Sequence, residues 1–140
     1  MNQQELKTKI EQVMEENKIG TLATVVNDKP HTRYMTFFND DFTLYTPTSD
    51  QTHKTDEIEK NPNVHILLGY NGEGYGDLYV EVQGTASVEE SEDLKKKLWQ
   101  DNFDEWFDGP NDPHYVVLKI KPSSIRLMNS KKEDPQTLEL

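Results

Sequence analysis

Three short segments rich in β-branched and aromatic residues, 21–26, 31–38 and 42–46, follow one another with only brief polar connections between them. The connection "NDKP" joins the first pair and "NDD" joins the second. Asn, Asp and Pro in such short connections favour tight turns, and strands joined by tight turns run antiparallel. This succession therefore predicts an antiparallel meander in the first half of the chain.

The rest of the sequence adds strands and helices that do not alternate regularly. Further strands are predicted at 64–70, 78–88, 114–122 and 124–129, with a bulge or bend at Gly84, and helices at 4–17, 54–61 and 90–107, the first one stopped by Gly20. Because helices are not interleaved one by one between strands, a doubly wound parallel sheet is disfavoured. We expect a mainly β fold, an antiparallel barrel of about six strands with helices packed outside it.

Length and composition limit the size of the core. The 140 residues suit a single domain over residues 1–140, with residues 129–140 expected to form a polar, poorly ordered tail. Only 33% of the residues are hydrophobic, so the core must be economical. A second subunit would then cover part of the apolar surface.

The charge balance excludes several classes of partner. The formal net charge is −11, which repels nucleic acids and anionic membranes, so we expect neither as a partner. The chain has no cysteine, which rules out disulfides and thiolate chemistry. The first residues lack the apolar core of a secretory signal, and no apolar run is long enough to span a bilayer, so we expect a soluble cytoplasmic protein.

The histidines and acidic residues give little support to a metal site. The four histidines, at positions 31, 53, 65 and 114, are far apart and form no zinc-binding spacing, so we expect no metal. His65 falls in an apolar strand, which favours a hydrogen-bonded core histidine. No nucleotide-binding glycine motif or nucleophile motif is present, and we assign no catalytic residue.

Arg33 and Lys54 are candidates for binding an anion, because cations are scarce in this chain. Arg33 interrupts a predicted strand, where it shares a face with His31 and Met35. Lys54 begins a predicted helix after a run of hydroxyl residues, Thr46, Thr48, Ser49 and Thr52. Cations, hydroxyls and helix N-termini together suit a phosphate group. Taken alone, however, these residues favour solvated surface charges, and the aromatic residues likewise favour core packing over a wall for a planar ligand.

The order of several longer segments shifts that balance. The segments "KPHTRYMTFF", "FTLYTPTSDQTHKTDEIEKNPNVHILL", "YVEVQGTASV" and "LWQDNFDEWFDGPNDPHYVVLKIKP" occur in succession over roughly residues 5–128. In this order they resemble the bacterial general stress protein 26 group of the pyridoxamine 5′-phosphate oxidase-like superfamily. The resemblance implies an FMN-binding split β-barrel and a homodimer with flavin at the subunit interface.

The resemblance also implies a set of cofactor-binding residues. Arg33 would face the phosphate of FMN, Tyr34, Met35 and Thr36 would run beside the isoalloxazine ring, Thr48 and Ser49 match a hydroxyl pair, Lys54 matches a phosphate-binding lysine, and Trp106 would approach the flavin. His53 stands where the true oxidases have arginine, so the phosphate site would be weakened unless that histidine is protonated.

The C-terminal part departs from the pattern of the true oxidases. It reads "IRLMN" and then "SKKEDPQTLEL", without the tryptophan–arginine arrangement that grips the substrate of those enzymes. Oxidation of pyridoxamine phosphate is therefore disfavoured. The sequence leaves open a flavin-dependent oxidoreductase with NADH or NADPH as electron donor, a non-catalytic flavin-binding or flavin-storing stress protein, and a different cofactor such as another flavin, a deazaflavin or haem.

Overall fold

The computed structural model describes the backbone of residues 1–140 and every side chain except that of His53. In chain order the elements are α1 (Gln3–Glu16), β1 (Ile19–Val26), β2 (Lys29–Thr36), β3 (Phe38–Asp40), β4 (Thr43–Ser49), α2 (His53–Lys60), β5 (Asn63–Gly69), β6 (Tyr79–Glu89), α3 (Glu92–Leu98), a 3₁₀ helix (Asp101–Glu105), β7 (Tyr115–Met128) and β8 (Gln136–Thr137). None of the helices in this described chain is long and apolar enough to cross a membrane.

The strands form one antiparallel sheet in the order β2-β1-β5-β6-β7-β4-β3, with β8 added beside β7. The β1–β2 hairpin turns at Asn27 and Asp28, whose positive φ angles of 50° and 63° suit a two-residue turn. The two ends of the sheet, β2 and β3, follow each other along the chain but are not paired within the described backbone. The sheet is therefore curved but not closed, and this gap agrees with the predicted split barrel.

The concave side of the sheet holds the main core. Alternate strand residues such as Leu22, Ile66, Val82 and Ile120 are fully buried there. Helix α1 covers this side with the predicted stripe of Leu6, Ile10, Val13 and Met14, all of which are buried. Burial of this stripe explains why a helix of low overall hydrophobicity is held firmly on the sheet.

The prediction of one long helix over residues 90–107 is wrong, because the helix ends just before Trp99. Helix α3 ends at Leu98, and the backbone of Trp99 is extended, with φ −62° and ψ 134°. The break turns the indole into an aromatic cluster, where its ring centre lies 5.4 Å from that of Tyr115 and 5.5 Å from that of Phe103. Aromatic packing here outweighs the continuation of the helix.

The two last strands that the sequence predicts are a single strand, β7. Pro122 lies inside β7 and pairs with Gly84, where the register of β6 shifts. This bulge accommodates a residue that cannot donate to the ladder, and it confirms the bulge predicted at Gly84. A side chain on Gly84 would place its Cβ only 2.5 Å from the carbonyl oxygen of Lys121.

Two terminal features also differ from expectation. Helix α1 is capped by Asn17 rather than stopped by Gly20, because the Asn17 side-chain amide donates to the Val13 carbonyl at 2.8 Å. Gly20 instead lies in β1 opposite Leu68. In the tail, β8 pairs with β7. Leu138 is buried and therefore anchors this otherwise polar segment.

Candidate functional site

The site lies where the sheet is open, between β2 on one side and β4 with α2 on the other. Strand β2 points alternate residues to opposite sides, so Arg33 faces inward and Tyr34 faces outward, where it is 79% exposed. Met35 and Thr36 follow at the end of the strand and are half-buried. An edge strand beside a gap leaves such side chains accessible to a ligand.

The opposite wall is built from hydroxyl residues and one lysine. Strand β4 ends at Thr48 and Ser49, and the Thr52 hydroxyl donates to the Ser49 carbonyl oxygen at 2.8 Å. The Lys54 ammonium in turn donates to the Thr52 hydroxyl at 2.9 Å. These contacts hold the Lys54 ammonium against the Thr52 hydroxyl at the start of α2.

A cavity of about 630 Å³ separates these two walls. Seven residues of the predicted cofactor site line it, namely Tyr34, Met35, Thr36, Thr48, Ser49, Lys54 and Trp106, together with Ile19, Thr52 and Phe107. Its volume falls within the range of about 300–1,000 Å³ that is usual for small-molecule sites. Lys54 and the hydroxyls of Thr48, Ser49 and Thr52 come from β4, α2 and the turn between them, whereas the aromatic residues come from β2 and from the segment that follows the 3₁₀ helix.

The charge of Lys54 is affected by its surroundings. Partial burial lowers the pKa of its ammonium group, and the positive charge of Arg33 lowers this pKa further, while Glu57 opposes the shift. No carboxylate lies within 4 Å of Lys54 among the described side chains. A bound anion would relieve both the burial and the repulsion from Arg33.

Arg33 does not line this cavity but is held by an internal network. Its guanidinium donates to Glu57 at 2.9 Å, to the Thr24 hydroxyl at 2.9 Å and to the Leu22 carbonyl at 3.3 Å. The Thr24 hydroxyl also donates to Glu57, at 2.7 Å. The predicted common face of Arg33 and His31 is confirmed, since an imidazole nitrogen of His31 lies 3.1 Å from the guanidinium.

Glu57 is the acid at the centre of this network, and its side chain is only 10% exposed. Burial opposes its ionisation, but hydrogen bonds from Thr24 and Arg33 outweigh that effect and keep its pKa below the usual value. Glu57 was not singled out by the sequence analysis. Its position three residues after Lys54, on the same side of a helix, was the signal available to find it.

The histidines lie around the site rather than in one cluster. The predicted interpretation of His65 as a core histidine is wrong, because strand alternation in β5 turns it outward, where it is 36% exposed and 3.6 Å from Glu81. His114 pairs with Asp50 at 2.9 Å, just beyond the end of β4. The proposed role of His53 concerns a side chain outside the described residues. Within the described residues no group of three metal-binding side chains comes together.

The fold and the position of the cavity define a split-barrel protein with a cavity of small-molecule size at the gap in its sheet. The sequence profile of the family described as "Pyridoxamine 5'-phosphate oxidase" matches residues 6–129. General stress protein 26 of Bacillus subtilis (strain 168) is 56% identical over 140 residues, which cover 100% of both chains. The chain therefore belongs to the pyridoxamine 5′-phosphate oxidase family and, within it, to the general stress protein 26 group.

Solved structures agree with this assignment. The crystal structure of the General Stress Protein 26 from Bacillus anthracis str. Sterne is similar with a TM-score of 0.86 and 43% identity, covering 96% of this chain and 98% of that one. A heme binding protein from Mycobacterium smegmatis is similar with a TM-score of 0.78 over 94% of this chain and 57% of that one. Its identity of 13% limits that likeness to the fold.

Proposed function

We propose that this protein binds FMN in the cavity at the gap of the sheet and acts as an oxidoreductase on a small molecule. The observation that carries the proposal is the composition of the cavity wall, which combines Lys54 and hydroxyls with a strand edge and three aromatic residues. Such a wall suits a planar ring joined to a phosphate. Family membership supports the same ligand.

The two parts of the lining would serve different parts of FMN. The ammonium of Lys54 and the hydroxyls of Ser49 and Thr52 would hold the phosphate, because charge-assisted hydrogen bonds favour it there. Met35 and the exposed rings of Tyr34 and Trp106 would flank the isoalloxazine. Arg33 does not line the cavity, so it would attract the phosphate through its positive charge alone.

Bound FMN would supply the hydride and electron chemistry, with NADH or NADPH as the proposed electron donor. The chain itself would bind and orient the flavin and exclude water from one side of it. Oxidation of pyridoxamine phosphate is not part of the proposal, because the C-terminal residues that grip that substrate in the true oxidases have no counterpart here. The proposed setting is the cytoplasm under stress, as the name of the Bacillus subtilis relative suggests.

The outer face of the sheet supports a homodimer. Ile19, Tyr34, Leu67 and Tyr70 are 67%, 79%, 40% and 51% exposed, and together with Tyr79 they surround a second cavity of about 470 Å³. Ile19 and Tyr34 line both cavities, so the apolar surface continues into the flavin site. A second copy of the chain covering this face would bury the apolar residues and complete one wall of the site.

A second candidate function is flavin binding or storage without turnover. It is favoured by the scarcity of acid–base groups, since Lys54 and Tyr34 are the titratable residues among the described side chains that line the cavity. Proton transfer during turnover would then depend on the substrate or on water. The two functions share the same site and differ only in whether the bound flavin is reduced and reoxidised.

Native mass spectrometry of the purified protein tests the ligand, and titration with FMN and riboflavin tests the site. We expect FMN to bind, and a haem, a deazaflavin or no flavin at all would refute the proposal. Anaerobic addition of NADH or NADPH should bleach the flavin absorbance, which air should restore. A flavin that stays oxidised with either donor would favour the storage function.

A further inference from the structure

Arg33 and Lys54 are close enough to repel each other, yet only Lys54 reaches the cavity. The guanidinium of Arg33 is engaged by Glu57, whose carboxylate is almost fully buried. Three charged groups thus share one region, two positive and one negative. The net charge presented to an incoming anion is smaller than the two cations alone would give.

Glu57 is also fixed in place more firmly than an ordinary surface acid. Its oxygen Oε2 accepts from both Thr24 and Arg33, and Thr24 itself is buried in the core of β1. The second oxygen, Oε1, lies 3.5 Å from His31. A carboxylate held by these contacts remains ionised and competes with any other anion for the same guanidinium.

We propose that Glu57 limits the affinity of this site for phosphate esters, by holding the Arg33 guanidinium away from the cavity and by opposing a second negative charge. The proposal rests on the proposed function, since it takes the phosphate of FMN as the anion. Glu57 then sets both the affinity and the selectivity of the site. With Glu57 present, the site distinguishes FMN from riboflavin less strongly than it would if both cations were unpaired.

The size of the effect follows from the charges. A unit charge a few ångströms from a partly buried ionic site changes binding equilibria by about threefold to tenfold. Replacing Glu57 by glutamine removes the charge and keeps an oxygen that can accept from Thr24 and Arg33. The guanidinium is then held less tightly and is free to share its donors with a phosphate.

The test compares Glu57→Gln with wild type and with Glu59→Gln, which removes the same charge from the exposed side of the same helix. Dissociation constants are measured for FMN and for riboflavin, which lacks the phosphate. We expect Glu57→Gln to bind FMN about threefold to tenfold more tightly, with riboflavin unchanged within twofold and no change for either ligand in Glu59→Gln. Weaker or unchanged FMN binding by Glu57→Gln would overturn the proposal, as would an equal gain for both flavins.

Two further measurements keep the result decisive. Glu57→Asp retains the charge but shortens the side chain, so it should loosen Arg33 and give a smaller gain for FMN; no gain in a folded variant would count against the holding of Arg33. If wild type binds neither flavin, the proposed function fails. Inorganic phosphate, followed by the rise in melting temperature that it causes, then tests Glu57 separately, and an equal rise in wild type and Glu57→Gln would reject its role.

Discussion

Replacing Lys54 by methionine should weaken FMN binding while leaving riboflavin binding almost unchanged. Methionine keeps the apolar stem and removes the ammonium group that lies 2.9 Å from the Thr52 hydroxyl at the cavity wall. A charge-assisted hydrogen bond contributes about 1.5–3 kcal/mol, which corresponds to about 10-fold to 150-fold in affinity. Because Lys54 is only half-buried, we expect the lower part of this range, about 10-fold to 30-fold.

The assay is quenching of flavin fluorescence, with Lys60→Met as the control that removes an exposed lysine from the same helix. The pH dependence gives a second readout. Since burial and then Arg33 lower the pKa of Lys54, the ammonium loses its proton at a lower pH than an ordinary lysine. FMN affinity should therefore fall with rising pH before pH 10.5, and this fall should vanish in Lys54→Met. Equal losses for FMN and riboflavin would refute a phosphate role for Lys54.

Three other substitutions test neighbouring parts of the structure. Arg33→Ala should weaken FMN binding. It should also lower the free energy of unfolding by about 1–3 kcal/mol in a urea titration, because it leaves the Glu57 carboxylate buried without its cation. Unchanged stability would contradict the ion pair. Gly20→Ala should cost about 2 kcal/mol or more by the same measurement, because its Cβ would overlap the Leu67 carbonyl oxygen, whereas Gly72→Ala meets no neighbouring atom and carries only the backbone strain of a positive φ of 88°. Ile19→Glu should convert the proposed dimer into a monomer in sedimentation equilibrium, and a monomeric wild type or a dimeric variant would reject the proposed interface.

The antiparallel order of strands could be predicted because it depends on local signals. The turn residues Asn27 and Asp28 adopt the positive φ angles that their side chains tolerate, and the apolar period of α1 matches its buried face. Gly84 was correctly read as a bulge. These features are set by residues close together in sequence, so a single sequence is sufficient to recognise them.

The errors arose where distant contacts decide the local structure. The segment around Trp99 has helical periodicity, but the helix breaks so that the indole can pack on Tyr115, sixteen positions further along. Gly20 resembles a helix stop, yet the reason for glycine is the close approach of β5. In both cases a tertiary contact overrides a local preference, and no local pattern contains that information.

One wall of the candidate site could be predicted because its residues are close together in sequence. Thr48, Ser49, Thr52 and Lys54 are close together in sequence, and they line one cavity wall together. The pairing of Arg33 with Glu57 spans 24 positions and joins a strand to a helix, so no local pattern identifies it directly. The resemblance to a family assigned Arg33 to a phosphate without revealing the acid that already holds it.

The acidic composition of the chain explains why Glu57 matters for anion binding. The chain has 26 acidic residues and 15 lysines and arginines, and both arginines, Arg33 and Arg126, pair with a glutamate. Lys54 contacts a hydroxyl instead, and its charge stays available to a ligand. In a protein of this composition, a residue that binds an anion is therefore identified by its place in the cavity lining and by the lack of a carboxylate in contact with it, as much as by its own charge. By that criterion we propose Lys54 as the principal phosphate-binding residue among the described side chains, and Arg33 would contribute only as far as Glu57 permits.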